Sequence, residues 1–243
     1  IAFDFETSGL PVGRRNVKIT PETVKNYDGC RGVSLSAARF SARGRLIDTF
    51  DAIIYPAGFQ ISQGSIDIHG ITQKMAEESG KPFPVVYKEF IKFVGPRTKT
   101  LVAHNAQFDT SVLQSEMLRH NIPLTEIDDF DIRCTLQLHK DRFQKSIKLV
   151  KLYEDIFGEQ FDGAHNSLAD SIACGRVYPT VLGYERVLKP IGVKKIIIGA
   201  SSVATAIGNG YERPNELAEK LMKKYCSHIF TGKTKEDVAN EVI

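Results

Sequence analysis

Residues 100–109 constrain the fold more tightly than any other part of the sequence. Thr100, Leu101, Val102 and Ala103 form a short, mostly apolar run, and the polar His104 and Asn105 follow at once. An amphipathic segment over about 108–120 comes next and stops before Asn121 and Pro123. A buried strand that turns directly into a helix is the building unit of an α/β layer, and such turns are where α/β sheets present ligands.

The rest of the chain fits that unit. Phe3 and Phe5 alternate with Asp4 and Glu6, which predicts a first strand with its acids on one face. Residues 10–31 are rich in Pro, Gly and Arg and read as a long loop. Two β-type runs, 32–40 and 45–55, flank the turn-like 41–44 and predict a hairpin. Phe83, Val86, Tyr87, Phe90 and Val94 recur at helical spacing. A further strand is expected near 130–132, with helices near 135–142, 146–157 and 167–182. Strands first, then strands alternating with helices, predict an α/β fold with a mixed sheet flanked by helices. The chain lacks an initiator Met and its first strand opens in mid-pattern, so residues are expected to precede Ile1.

Composition narrows the function classes. Hydrophobic residues make up 42% of the 243 and charged residues 25%, ordinary globular values that argue against disorder or a fibrous repeat. The most apolar stretch, 191–207, is interrupted by Lys194 and Lys195, so no membrane span is expected. Cys30, Cys134, Cys174 and Cys226 form no C-x-x-C pair and read as reduced thiols of an intracellular compartment. The net charge of +3 resides in residues 181–243, with 10 basic and 7 acidic side chains; residues 1–180 hold 22 of each sign. Bulk charge therefore does not identify a nucleic-acid binder, and the case rests on local constellations.

Those constellations are acidic. Asp4 and Glu6 share one strand face, where like charges cost stability unless something positive lies between them. Asp109 falls on the apolar stripe of its helix with Val112 and Leu113, and Asp170 shares a stripe with Ala173 and Val177. Each alone has a plain explanation, as an exposed strand acid or an acid complementing a helix N-terminus. Asn166 or Ser167 is the expected cap of the last helix, and His165 stands just before it. Four acids, three of them in unwelcome positions, imply a hard cation with oxygen ligands, Mg²⁺ or Mn²⁺ rather than zinc. Two such ions about 3.5–4 Å apart serve phosphodiester hydrolysis, and an imidazole, with its ordinary pKa of about 6.5, suits the role of proton acceptor.

The segments Asp-Phe-Glu-Thr-Ser-Gly-Leu (4–10), His-Asn-Ala-Gln-Phe-Asp (104–109) and His-Asn-Ser-Leu-Ala-Asp (165–170) resemble the three motifs of the DEDD 3′→5′ exonucleases, histidine subtype. Ile-His-Gly-Ile-Thr at 68–72 further resembles the branch containing the proofreading epsilon subunit of bacterial replicative polymerase. The resemblance covers most of residues 1–183 and implies a ribonuclease-H-like fold. It also implies stepwise release of 5′-mononucleotides from a 3′ end with two divalent ions, Mg²⁺ or Mn²⁺. It assigns Asp4, Glu6, Asp109 and Asp170 to the metals and His165 to the general base. Thr7, Leu10, His69, His104, Asn105 and Phe108 match positions lining the 3′-nucleotide pocket; for Phe108, core packing is an equal alternative.

The expected partner is a nucleic acid with a single-stranded or frayed 3′ end, DNA in preference to RNA, alongside a polymerase or another nuclease domain. An exoribonuclease and a non-catalytic nucleic-acid or polymerase-binding module are the competing readings. Two features depart from the family pattern. The 11–31 loop is long and carries Arg14, Arg15, Lys18, Lys25 and Arg31, which are expected either to hold an incoming strand or to be solvated. Residues 184–243 are expected to form a small appendage or truncated second domain, and 200–225 faintly resembles the start of YqaJ-like viral recombinase nucleases.

Overall fold

The computed structural model describes residues 1–13, 17–42 and 44–188. Among these residues five strands form one mixed sheet: β1 (Ala2–Thr7), β2 (Gly32–Phe40), β3 (Leu46–Ile53), β4 (Thr100–Ala103) and β5 (Asp131–Cys134), in the order β3-β2-β1-β4-β5. β2 pairs antiparallel with both β1 and β3, whereas β4 runs parallel to β1 and to β5. The expected hairpin and mixed sheet are both present. β1 is central because its alternation lets it bury both faces: Ala2, Phe3 and Phe5 are all nearly inaccessible.

Among the described residues, seven helices accompany the sheet: α1 (Gln63–His69), α2 (Gln73–Ser79), α3 (Phe83–Val94), α4 (Ala106–Arg119), α5 (Thr135–Phe143), α6 (Leu149–Phe157) and α7 (Ser167–Leu188). Phe3 and Phe5 join Leu35, Phe90, Leu101, Leu113 and Met117 in the main core, which places α3 and α4 on one face. Ala2 and Val102 pack with Cys174 of α7 on the other, where α6 and α7 share a second cluster around Leu152, Tyr153, Ile156, Val177 and Val181. The alternation of β1 thus points Asp4 and Glu6 at the α7 side.

α7 is welded to β2 by buried serines. Ser167 Oγ lies 2.8 Å from Ser34 Oγ and 2.7 Å from Ser36 Oγ, and Ser171 Oγ donates to the Ser36 carbonyl at 3.1 Å. Gly175 permits the close approach, because a Cβ there would lie 2.1 Å from the Phe40 ring. α7 continues to Leu188, past the expected end near 182.

The loop after β1 corrects one expectation. Ile19, Tyr27 and Cys30 are buried and a 3-10 turn spans Val24–Tyr27, whereas Lys18 and Lys25 are exposed as the solvated alternative expects. Arg31 is not available to an incoming strand. Its Nε and Nη2 donate to Glu116 at 2.7 and 2.9 Å, and its guanidinium lies 4.7 Å over the Phe59 ring. Arg14, Arg15 and the tail from 189 onward, with its resemblance to recombinase nucleases, lie outside the described residues.

Candidate active site

The site forms where β1 and β4 part. The two strands share one register pair, Ala2 with Val102, and a bulge follows Glu6 in the pairing of β1 with β2. With β4 turning away, the Phe5 amide donates instead to Asp109 Oδ1 at 3.1 Å. That bond carries the carboxylate of α4 to the centre of β1. Asp109 is 2% exposed and stands in the first turn of α4.

Asp4, Glu6 and Asp170 each offer a carboxylate oxygen, and the three oxygens lie within 4.8 Å of one another. Asp109 adjoins them closely enough to act on Asp4. Burial, and then the charges of Asp109, Asp170 and Glu6, push Asp4 well above the usual carboxylate range. Burial followed by Asp170 and Asp109 raises Glu6 to about 8. Burial raises Asp109 to about 8 despite the Phe5 amide, and burial also raises Asp170, opposed by His165. Four carboxyls this close cannot all ionise without a compensating charge, and an all-oxygen donor set fits a hard divalent cation.

Glu116 supplies the contrast. It is an inward acid on the same stripe of α4, four residues after Val112, and the reasoning applied to Asp109 would have singled it out. Its partner is the Arg31 guanidinium together with the Gly32 amide at 3.1 Å. An inward acid therefore marks a need for a positive partner, which Arg31 meets for Glu116.

Repulsion in the cluster has a measurable consequence. Between pH 4 and 8 the unfolded chain has released the protons of Glu6 and Asp109 while the folded chain retains them. The folded state then binds more protons, so its stability falls as pH rises through that window. Metal-free protein is expected to melt roughly 3 °C or more lower at pH 8 than at pH 5.5, and divalent cation to remove the difference. Calorimetry in chelator and in Mn²⁺ checks this; a flat profile in chelator contradicts it.

The turns before the two helical acids share a device. Asn105 and His165 both occupy the left-handed region, with φ of 70° and 69°, in the turns that lead into the helices of Asp109 and Asp170. Asn166, not Ser167, caps α7: its Oδ1 accepts from the Leu168 and Ala169 amides, both at 3.1 Å. The His165 amide donates to Asp170 Oδ2 at 3.2 Å, which leaves the imidazole exposed to solvent beside the cluster.

The expected pocket residues divide. Leu10 is 77% exposed beyond the end of β1, Asn105 is exposed and Phe108 is half-buried against the main core. Thr7 Oγ1 donates to the Gly9 carbonyl at 2.8 Å. His69 Nδ1 accepts from the Ile71 amide at 3.0 Å, and its Nε2 is buried beside the Thr7 backbone without a hydrogen bond of good geometry. His104 commits both ring nitrogens within the protein, to Thr135 Oγ1 and the Ile147 carbonyl.

A family model described as Exonuclease (RNase_T) matches residues 1–178, which takes in every acid of the cluster and His165. The chain belongs to this exonuclease family. Its members are nucleases, and divalent metals are general in the family. Among curated relatives, the PolC-type DNA polymerase III of Streptococcus agalactiae is 31% identical over 124 residues, 51% of this chain and 7% of that polymerase. The Streptococcus thermophilus polymerase of the same type is 27% identical over 179 residues, 73% of this chain and 11% of its own length. The matched segment is thus a small part of those polymerases.

The fold is that of known exonucleases. The nuclease domain of 3′hExo, a DEDDh family member bound to rAMP, superimposes with a TM-score of 0.56 at 20% identity, over 75% of this chain and 90% of that one. E. coli exonuclease I in complex with a dA16 oligonucleotide gives 0.57 at 18% identity, over 76% and 42%. No helix among the described residues is long and apolar enough to cross a membrane.

Proposed function

We propose that this chain is a metal-dependent 3′→5′ exonuclease that removes 5′-mononucleotides from single-stranded or frayed DNA ends, with residues 1–183 as the catalytic unit. The observation that carries the reading is the convergence of Asp4, Glu6 and Asp170 oxygens within 4.8 Å, beside a buried Asp109. In this reading the four carboxylates hold two divalent ions, Mg²⁺ or Mn²⁺. When bound, such ions make water a stronger nucleophile and neutralise charge on the leaving oxygen.

The protein's own groups do the rest. Asp4, on the central strand, and Asp109, buried and accepting from the Phe5 amide, would hold the ions beside β1, where the reacting phosphate docks. His165 takes the proton of the attacking water at a ring nitrogen and passes it to solvent, which its exposed imidazole favours. Leu10 offers apolar surface to the terminal base, Phe108 adds its half-buried ring, and Asn105 offers amide hydrogen bonds. Thr7 and His69 shape the floor of the same pocket.

DNA is favoured over RNA because the curated relatives named above are DNA polymerases and because of the His-Gly-Ile-Thr segment at 69–72. The same relationship favours a polymerase as the working partner, on the same chain or another. A paired terminal nucleotide must unstack to reach the metals, so mismatched ends should react faster than paired ones. With 5′-labelled single-stranded DNA, mismatched duplex DNA and RNA in Mg²⁺, we expect a one-nucleotide ladder shrinking from the 3′ end, fastest on single-stranded DNA. Faster loss of RNA would reassign the substrate, and internal cuts would end the exonuclease reading.

A further inference from the structure

A buried polar chain outside the acid cluster connects the elements that carry Asp109 and Asp170. Cys174 lies one turn beyond Asp170 on α7, and its Sγ is 3.8 Å from Oγ1 of Thr135, the first residue of α5. Thr135 Oγ1 is 2.9 Å from His104 Nδ1, and His104 Nε2 is 3.0 Å from the Ile147 carbonyl. Cys174 is 1% exposed and Thr135 0%.

The donors and acceptors of this chain can be assigned. Burial lowers His104 to about 4, so near neutral pH the ring carries one proton. A carbonyl only accepts, so that proton is on Nε2 and Nδ1 is bare. The Thr135 hydroxyl therefore donates to Nδ1, and its oxygen is left to accept from the Cys174 thiol. The Ala103 carbonyl, 3.4 Å from Thr135 Oγ1, is too distant to compete well. Each hydrogen bond sets the direction of the next.

Main-chain pairing alone does not fix α4 relative to α7. β4 has four residues and meets β1 at one register pair, after which the strands part. The turn at His104 and Asn105 begins where that pairing has ended. We infer that His104 and Thr135 are positioning residues, which tie this turn to α5 and α7 and so hold Asp109 in place beside Asp4, Glu6 and Asp170. The inference rests on the metal-dependent reading of the acids. It also accounts for His104 differently from a nucleotide contact, since neither ring nitrogen is left for a substrate.

The test is Mn²⁺ binding to the metal-free protein by titration calorimetry, with cleavage kinetics alongside. Thr135→Val keeps the volume and removes the hydroxyl. It should weaken Mn²⁺ binding about 10-fold, the lower end for groups standing behind metal ligands, and lower kcat with little change in KM. Thr135→Ser, which keeps the hydroxyl, should restore both. Should Thr135→Val fail to fold, His104→Asn serves, since it keeps an acceptor near the Nδ1 position and loses the Ile147 contact. That variant should be intermediate in both readouts. Wild-type Mn²⁺ affinity and kcat in Thr135→Val, with or without a lower Tm, would overturn the inference, as would a Thr135→Ser variant no better than Thr135→Val. Absence of cleavage by the wild type on every nucleic acid would instead fail the functional reading, while Mn²⁺ affinity would still report on positioning.

Discussion

Asp4→Asn is expected to abolish cleavage, by at least about 10³-fold (about 4 kcal/mol or more in barrier), and to raise the Tm of the metal-free protein at pH 8. Both effects follow from one position. Asp4 stands between Glu6 and the two helical acids, and every neighbouring charge pushes its proton affinity upward. Replacing the carboxylate with an isosteric amide removes that repulsion, which stabilises the empty fold and deprives the cations of a central oxygen anion. Catalysis and stability thus move in opposite directions, a pairing that simple misfolding cannot produce. Retained hydrolysis by purified Asp4→Asn protein would rule out the mechanism. A lower Tm in chelator would show that Asp4 has a stabilising partner.

His165→Ala is expected to lower kcat by roughly 10²–10⁴-fold, the usual contribution of a general base, while KM stays close to the wild-type value. The fold should barely register the change, because the imidazole is exposed and the contact with Asp170 is made by the main-chain amide. His165→Asn is the better-controlled variant, since Asn tolerates the left-handed backbone at this position more readily than Ala. If KM rose in step with the fall in kcat, His165 would be a substrate contact and the base would have to be sought elsewhere.

Much of this arrangement was legible in the residues alone, for identifiable reasons. β2 was bounded correctly because a hydrophobic strand between a Gly-rich loop and a turn has sharp edges. The acids of α4 and α7 stood out because each falls on an apolar stripe, and those of β1 because two like charges share one strand face. α1 and α2 were missed: each is seven residues long, and between them Ala76 alone is buried, so neither carries an apolar stripe. Their caps, Ser62 on the Ser65 amide and Thr72 on the Met75 amide, were the available signal. The packing of the 11–31 loop was illegible for a different reason. It depends on Arg31 meeting Glu116, 85 positions away, and no local pattern encodes such a pairing. The Cys174–Thr135–His104 chain is equally non-local; its members look like ordinary core and motif residues until the fold assembles them.

The amide of Phe5 bears on how any mutational survey of this protein should be interpreted. Where most strands would bond that N–H to a neighbouring strand, this one entrusts it to the carboxylate of Asp109. An Ala at 109 would strip away a charge and also orphan a buried donor, a second defect costing about 1–3 kcal/mol. An Asn would remove the charge while its amide oxygen continues to receive the Phe5 N–H. Alanine scanning would therefore score position 109 as structural, and isosteric scanning would score it as chemical. The difference between the two scores measures how much of the sheet's own bonding has been lent to the site.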